Sequence, residues 1–328
     1  KLKTKLVFFP PQKKKYLLYH KASLFIKDFL EENSYDVLHT KLGEFNVFVF
    51  IKSLFAFKDV KKFTTRYVLT YIKLVEPKII ISSIDNQISS FNLKKYFKDI
   101  TVIIIQNGVR SFTLPGFEMD FYQNKDYLKK LNLSCDYFFI MSEKDKKIYS
   151  QFVKCKFIES GSIKSNMCPI EKTSNKDVVY ISQYAHHRMN DEGFNYRVMG
   201  EILIKNILYF CERENIKCTI LLRTNLEDEK EHYKLILKSR IKYVDFFITK
   251  QNTEKFKFLD KFRLVLTVDS TLGYEMISRN KKTIIASARD QFLEKENKPR
   301  KVSFGFYHDK HYQDQGPFWI NRFKKEEE

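Results

Sequence analysis

The segment 269–275, DSTLGYE, holds residue types that can bind a phosphate group. It follows an apolar run predicted to be a buried strand and leads into a predicted helix, whose first N–H groups and dipole favour an anion. Ser270 and Thr271 add hydroxyl donors, Gly273 lets a ligand or a neighbouring backbone approach closely, and Glu275 can accept hydrogen bonds from ribose hydroxyls. Asp, Ser and Thr are equally suited to capping a helix, so both roles stay open. The candidate nucleotide ligands here are Asp269, Ser270, Thr271, Gly273 and Glu275.

Two other strand ends in the second half carry polar residues that suit a nucleotide. Ser182 and Gln183 end the first predicted strand, where a Rossmann unit binds phosphate, but GxGxxG is absent and a dinucleotide cofactor is therefore disfavoured. Arg223 ends the next predicted strand, where a guanidinium can clamp a phosphate or carboxylate with two parallel hydrogen bonds. A surface ion pair with Glu227 or Asp228 is the alternative for this arginine.

A loop in the first half, QNGVR at 106–110, follows a continuous apolar run and is a candidate binding loop. Gly108 permits a tight turn, and Arg110 can present a cation to a ligand. A plain strand-to-helix turn is the alternative. The candidate residues of this loop are Gln106, Asn107, Gly108 and Arg110.

Two carboxylates of the first half are candidates for a catalytic base. Asp85 follows a predicted strand, and Glu44 lies near the start of an earlier one. Proton abstraction from a hydroxyl needs a base held close to it, and a carboxylate can serve. Asp85 can instead cap the helix predicted after it. Spacing does not choose between the two carboxylates.

Short apolar runs alternate with amphipathic stretches and position these loops. Such alternation is typical of parallel sheets covered by helices. The first half has five predicted strands: Lys5–Phe9, Asn46–Ile51, Lys78–Ser82, Thr101–Ile105 and Tyr137–Met141. Its predicted helices are Tyr16–Glu31, Val60–Val75, Ile88–Tyr96 and Glu143–Phe152.

The second half restarts after the polar segment Glu171–Lys176 and resembles a nearly complete Rossmann domain. Its predicted strands are Asp177–Ser182, Cys218–Leu222, Tyr243–Ile248, Arg263–Val268 and Thr283–Ala286. Its predicted helices are Asn195–Glu214, Glu227–Ser239, Thr253–Leu259 and Gly273–Arg279.

The pattern predicts an α/β fold of two Rossmann-like doubly wound domains facing a cleft, with ligands at the carboxyl ends of the sheets. Residues 1–170 form the predicted N-terminal domain and 171–305 the C-terminal, nucleotide-binding domain. Residues 306–328 form a C-terminal tail or helix, for which packing back onto the N-terminal domain is an open option.

Four segments together resemble GT-B glycosyltransferases, and more narrowly the bacterial transferases of surface-carbohydrate biosynthesis. They are DSTLGYE with the following Ser-Arg-Asn-Lys-Lys-Thr, Gln106–Arg110, Tyr180–Tyr184 (YISQY), and Gly316–Trp319 (GPFW). The resemblance implies a nucleotide sugar on the second domain and a glycan or lipid-linked glycan acceptor on the first, with the 106–110 loop facing the donor or the reacting centre. It also implies a metal-independent, inverting transfer without a cofactor, for which Asp85 or Glu44 is the base.

The Ser270-Thr271 pair resembles transferases that use CMP-linked ulosonic acids, and a basic protein suits an acidic sugar. A CMP-activated sialic-acid-like or Kdo-like donor is therefore favoured, for an acceptor such as O-antigen, capsule or another lipopolysaccharide or surface polysaccharide. UDP- or GDP-sugar transfer and a GT-B-type UDP-N-acetyl sugar 2-epimerase are the alternatives. A non-enzymatic binder of anionic polymers is the distant third.

The composition and net charge indicate which partners and which cellular compartment to expect. The chain has 59 Lys and Arg against 40 Asp and Glu, a net charge of +19, spread along its length. The sequence has no clustered basic stripe with interleaved aromatic residues, so nucleic acid is not expected as a partner. Peripheral contact with an anionic inner-membrane surface is expected instead. Five scattered cysteines without CxxC, together with the absence of a recognisable signal peptide, predict a cytoplasmic protein without a metal site.

Overall fold

The computed structural model describes residues 4–39, 43–85, 87–109, 130–174, 176–184, 196–223, 227–249, 252–268 and 270–286. The chain divides into two compact units. Unit 1 comprises Lys1–Arg110 with Met119–Ser162, and unit 2 comprises Ser111–Glu118 with Ile163–Glu328. The sequence-based boundary lies at 170/171, whereas the units divide after Ser162.

Unit 1 contains a six-stranded parallel sheet in the order β3-β2-β5-β6-β7-β8 and a separate two-stranded parallel sheet, β1-β4. The strands are β1 (Lys5–Val7), β2 (Tyr16–Tyr19), β3 (Tyr35–Leu38), β4 (Glu44–Asn46), β5 (Ile79–Ser82), β6 (Thr101–Ile105), β7 (Leu133–Ile140) and β8 (Val153–Glu159). The helices are α1 (Val47–Phe55), α2 (Phe63–Val75), α3 (Ile88–Phe91), α4 (Leu93–Tyr96) and α5 (Glu143–Tyr149), with a 3₁₀ helix over Lys21–Phe29.

The central strands of unit 1 are apolar on both faces because helices cover the sheet. Leu17, Leu18, Ile80, Val102 and Ile104 have no exposed surface. The predictions for β5, β6 and β7 are confirmed, with shifts at some ends. The predicted helix 88–96 is present as the two short helices α3 and α4.

The region before β5 differs most from the sequence-based expectation. The predicted helix Tyr16–Glu31 is wrong in its first turn, because Tyr16–Tyr19 is the buried strand β2, and β3 and β8 were missed. A four-residue apolar run fits a buried strand as well as a helix, so periodicity alone does not separate the two.

The predicted strand Asn46–Ile51 is also wrong. Its aromatic and β-branched composition suggests a strand, but Asn46 ends β4 and caps α1. The Asn46 side-chain oxygen accepts a hydrogen bond from the Val49 N–H at 3.0 Å. The cap and the packing of α1 against α2 override the local β propensity.

Unit 2 contains a five-stranded parallel sheet in the order β11-β10-β9-β12-β13. The strands are β9 (Lys176–Ile181), β10 (Cys218–Leu221), β11 (Val244–Phe247), β12 (Phe262–Thr267) and β13 (Lys282–Ile285). The helices are α6 (Ile163–Asn166), α7 (Tyr196–Arg213), α8 (Glu227–Leu237), α9 (Asn252–Asp260) and α10 (Thr271–Ser278), with a 3₁₀ helix over Lys238–Tyr243. Every strand and helix predicted within 177–286 is present, with shifts of one or two residues at most of the ends.

Alternate residues of the unit 2 strands face two separate apolar clusters. Val178, Tyr180 and Ile220 belong to the cluster that α7 and α8 cover. Val179 and Ile181 belong to the cluster that α9 and α10 cover. The sheet is therefore covered on both faces, and the predicted α/β class with two doubly wound, Rossmann-like sheets is confirmed.

Arg279, at the end of α10, explains why residues 163–170 belong to unit 2. Its guanidinium forms a buried ion pair with Asp260 and donates hydrogen bonds to the carbonyls of Ser165, Cys168 and Pro169 at 2.9–3.0 Å. The hydrogen bonds to Asp260 raise the pKa of Arg279 above its ordinary value. These contacts tie the segment after Ser162 to α9 and α10.

Candidate functional site

The strand order of unit 2 reverses direction between β9 and β12, which is where ligands bind in open α/β sheets. The start of α10 is fixed at this point. The Thr267 hydroxyl lies 3.4 Å from the Ile181 carbonyl on β9, to which it donates, and it accepts from the Ser270 N–H at 3.2 Å. The backbone that opens α10 is thereby connected to both switch-point strands.

Ser270 is the N-cap of α10, since its hydroxyl accepts from the Leu272 N–H at 3.3 Å. Capping was one of the two roles that the residue types left open. The hydroxyl can also donate to a ligand, and the N–H groups of the first helical turn point toward the same end. Ser270 and Thr271 therefore stand where an anion can bind at the carboxyl edge of the sheet.

Gly273 brings α10 close to β12. A Cβ atom at this position would lie 2.5 Å from Thr267 Cγ2, far inside van der Waals contact. Of the two predicted uses of this glycine, close approach of a neighbouring chain segment is the one that the geometry displays. The contact it permits is with a side chain of β12.

Two basic side chains lie at the carboxyl edge of the sheet, one after β10 and one in the first turn of α9. Arg223 follows β10, is exposed, and donates from its guanidinium to the Gln183 carbonyl at 3.3 Å. Lys255, on α9, is half-buried. Burial, followed by the positive charge of Arg223, lowers the pKa of Lys255 below its ordinary value of 10.5. Lys255 was missed from the sequence, because nothing in its helix distinguishes it from Lys257.

Ser182 lies in a buried polar network. Its hydroxyl is 2.5 Å from a Glu229 carboxylate oxygen and 2.7 Å from the Tyr233 hydroxyl. The Glu229 carboxylate also accepts from the backbone N–H of Arg223 at 3.1 Å. The network holds the ends of β9 and β10 together and fixes the backbone at Arg223. Burial raises the pKa of Tyr233 well above its ordinary value.

Glu229 was missed, although a signal for it exists. It lies four and eight residues before Tyr233 and Leu237, so it shares the buried face of α8 with them. A carboxylate on the apolar face of an amphipathic helix requires a polar partner inside the fold.

Asp85 and Gln106 form a second buried network, in unit 1. The Asp85 carboxylate is fully buried and accepts from the Asn107 N–H at 3.0 Å and the Tyr149 hydroxyl at 2.8 Å. Gln106 donates to the Gly108 carbonyl at 3.0 Å and accepts from the Met141 N–H at 2.9 Å. Both side chains shape the loop after β6. Both carboxylate oxygens of Asp85 therefore accept hydrogen bonds within unit 1, and its role as a base stays a prediction.

Glu44, the rival base, lies elsewhere in unit 1, on β4 of the two-stranded sheet. Its side chain is 29% exposed and forms an ion pair of 3.1 Å with Lys5. It lines a small depression together with His39, Asn46, Tyr67 and Tyr71. Burial and the nearby Asp36 carboxylate raise the pKa of Tyr71. The Glu44 side chain is thus partly exposed, whereas Asp85 has no exposed surface.

Glu275 is 8% exposed and lies close enough to Arg279 to raise the pKa of that guanidinium. Its role toward a ribose stays a prediction. Asp269 and Arg110 lie outside the described residues, as do the segments 185–195 and 287–328. Within the described ranges no three His, Cys, Asp or Glu side chains are grouped to hold a metal ion. In the same part of the chain, no helix is both long and apolar enough to cross a membrane.

Comparison with known proteins adds a family and a fold. Residues 103–328 match the model of a family described as "putative O-antigen biosynthesis protein". S. aureus MnaA, solved with UDP, is 13% identical over 83% of this chain and 78% of that chain, with a TM-score of 0.51. Methanocaldococcus jannaschii UDP-GlcNAc 2-epimerase, solved with UDP-GlcNAc and UDP, is 12% identical over 84% and 83%, with a TM-score of 0.50. No curated protein matches by sequence.

Proposed function

The chain belongs to this O-antigen biosynthesis family, and from that premise we propose that it is a glycosyltransferase acting on a nucleotide-activated sugar. Membership makes it a surface-carbohydrate biosynthesis protein, and its likeness to S. aureus MnaA gives it the GT-B fold. The observation that carries the transferase proposal is a pair of basic side chains at the carboxyl edge of the unit 2 sheet: Arg223, which follows β10 and contacts the Gln183 carbonyl, and Lys255, in the first turn of α9. They stand at the same edge as the start of α10, with Ser270 and Thr271.

Partial burial of Lys255 disfavours its charged form, and the positive charge of Arg223 disfavours that form further. A phosphate bound beside them removes that repulsion and gains charge-assisted hydrogen bonds. During transfer, negative charge develops on the leaving nucleotide, and fixed cations with a helix start are suited to stabilise it. Such stabilisation requires neither a metal nor another cofactor, and we therefore propose a metal-independent transfer.

For the donor we propose a CMP-activated ulosonic acid of the sialic-acid or Kdo class. A single phosphate needs few donors, which Ser270 and Thr271 can supply, and basic side chains suit the sugar carboxylate. A UDP- or GDP-sugar is the alternative donor. A UDP-N-acetyl sugar 2-epimerase is the second candidate function, which the fold shared with the M. jannaschii enzyme supports.

We place the acceptor, a surface polysaccharide, a lipopolysaccharide or a lipid-linked glycan, on unit 1. An inverting transfer needs a base for the acceptor hydroxyl. Glu44 is partly exposed beside His39, whereas both oxygens of Asp85 accept hydrogen bonds inside the fold. We therefore propose Glu44 as the base and Asp85 as a positioning residue for the 106–108 loop.

The proposal locates the protein at the cytoplasmic face of the membrane, by peripheral contact and without a nucleic-acid partner. The net charge of +19 supports attraction to an anionic lipid surface. Lipid-linked acceptors are held at such a surface.

Calorimetry with CMP, CDP, UDP, UMP, GDP and NAD tests the donor site. We expect CMP to bind, and Lys255→Met to weaken it about tenfold through loss of one charge-assisted contact. The same variant should unfold at an equal or higher temperature, because a repelled, partly buried charge is gone. Lys257→Met, an exposed position on the same helix, is the matched control.

Preference for UDP or GDP would discard the acidic-sugar donor but keep a transferase. Turnover of UDP-GlcNAc without an acceptor would identify an epimerase. Failure of every nucleotide to bind, or identical behaviour of the two lysine variants, would refute the proposed site.

A further inference from the structure

Helix α1 presents an apolar face to solvent. Phe48, Ile51, Lys52 and Phe55 recur at the spacing that places residues on one side of a helix. Ile51 is 52% and Phe55 70% exposed, while the opposite side buries Val49 and Ser53. A helix of this type normally covers its apolar side with protein or another apolar phase.

The segment at β1 extends this apolar area. Leu6 is 55%, Phe8 63% and Phe9 79% exposed. β1 contacts α1 directly and pairs with β4, which leads into α1. We use the name α1 surface for six exposed residues of β1, of the two positions after it and of α1: Leu6, Phe8, Phe9, Ile51, Leu54 and Phe55.

Hydrogen bonds of the Asn46 side chain connect the two parts of the α1 surface. Its side-chain oxygen accepts from the Val49 N–H and caps α1, while its amide nitrogen donates to the Phe9 carbonyl at 2.9 Å. Asn46 itself is only 4% exposed. The phenyl groups are therefore exposed on an ordered backbone. Exposed apolar residues grouped in this way mark interaction sites.

Lysines border this surface. Lys52 lies on the same face of α1, with its ammonium 5.6 Å from the centre of the Phe48 ring. Lys58, Lys61 and Lys62 follow α1 directly and are exposed, against one acid, Asp59, in the same stretch. Exposed lysines on and directly after α1 thus accompany its exposed aromatic and aliphatic residues, which is the composition of interfacial helices that lie on anionic lipid.

We propose that the α1 surface docks this protein onto an anionic lipid bilayer, with its rings at the headgroup level and its lysines on lipid phosphates. A nine-residue helix is suited to lie in that interface. A second copy bound by its own α1 surface would place lysines against lysines, which disfavours self-association. The proposal deepens the membrane contact of the proposed function, and its test uses neither nucleotide nor sugar.

Co-sedimentation with phosphatidylglycerol–phosphatidylcholine vesicles tests this surface. We expect the wild-type protein to bind these vesicles and to bind pure phosphatidylcholine at least about tenfold more weakly. The double variant Ile51→Ser with Phe55→Ser should lose about tenfold or more of the binding at any salt concentration. Leu235→Ser with Tyr209→Ser, at 75% and 54% exposure in unit 2, is the matched control and should bind as the wild type.

Replacing Lys52, Lys58, Lys61 and Lys62 with Gln should weaken binding at low salt and flatten its salt dependence. Equal vesicle binding by the two serine variants, or none by the wild type, would overturn the proposal. A change of oligomeric state in the Ile51→Ser, Phe55→Ser variant, measured by sedimentation velocity with vesicle binding unchanged, would make this face a contact between copies. Nucleotide affinity should be unaffected throughout, so failure here leaves the donor-site proposal standing.

Discussion

Replacing Gly273 with alanine is expected to move the start of α10 away from β12. The new methyl group would lie 2.5 Å from Thr267 Cγ2, and Thr267 is fully buried. Thr267 cannot rotate freely, because its hydroxyl contacts both the Ile181 carbonyl and the Ser270 N–H. The helix must therefore shift outward, and the backbone of Ser270 shifts with it.

Overpacking of this kind costs about 1–3 kcal/mol, and the better helix propensity of alanine returns somewhat less than 1 kcal/mol. We expect a net loss of up to about 2 kcal/mol in the free energy of unfolding, measured by urea titration. The affinity for nucleotide, measured by calorimetry, should fall in the same variant.

Thr267→Ser provides the critical control, because it deletes Cγ2 and keeps the hydroxyl. The next atoms, Thr267 Cβ at 3.7 Å and Thr283 Cγ2 at 3.8 Å, are at ordinary contact distance from the added methyl group. Thr267→Ser alone should cost about 1 kcal/mol. The double variant should nevertheless be more stable than Gly273→Ala alone, with a coupling energy of at least about 1 kcal/mol.

Additive effects in this cycle would refute the steric argument. Recovery of stability without recovery of nucleotide affinity would show that Gly273 is needed for direct approach of the ligand. Recovery of both would assign the glycine to helix–strand packing alone.

Three further outcomes follow from buried and charged groups. Arg279→Met should lower the free energy of unfolding by about 3–5 kcal/mol, because it leaves the Asp260 carboxylate buried and unpaired. Arg240→Met removes an exposed ion pair with Glu212 and, as the control, should change the free energy of unfolding by less than about 0.5 kcal/mol. Because the pKa of Lys255 is lowered in the folded state, the unfolded state binds more protons between that pKa and 10.5, and the free energy of unfolding should rise with pH across this range. The affinity for nucleotide should fall over the same range as the ammonium loses its charge, and Lys255→Met should remove both trends. Asp85→Asn should lower the free energy of unfolding by about 1–3 kcal/mol, because the new amide nitrogen would face a hydrogen-bond donor. Glu44→Gln should leave the melting temperature unchanged and lower kcat at least about a hundredfold. The reverse pattern would make Asp85 the base.

Local patterns were sufficient for unit 2. Its strands are short, apolar and separated by amphipathic helices, so each signal is periodic and has one interpretation. The position of the loops after these strands can then be predicted, because parallel strands place their carboxyl ends on one edge of the sheet. The start of α10 and the position of Arg223 were therefore predictable from the sequence.

Unit 1 was predicted less completely, for a physical reason. The run 16–19 and the stretch 46–55 are apolar enough to be strand or helix, and their conformation depends on neighbours distant in the sequence. Tyr16–Tyr19 becomes a strand between β3 and β5, while Asn46 caps the helix that packs on α2. Neither partner is visible in a local window.

The contacts of individual polar residues depend on the tertiary structure. Ser182 meets Glu229 across 47 residues, and Asp85 meets Tyr149 across 64. A strand-end position is a local property, but which side of the sheet a side chain faces, and what it then contacts, depends on elements far along the chain. The sequence by itself therefore determined that Gln106, Ser182 and Arg223 lie at the carboxyl edges of their sheets, whereas the packing of distant helices decided that Gln106 and Ser182 are buried and that Arg223 stays exposed.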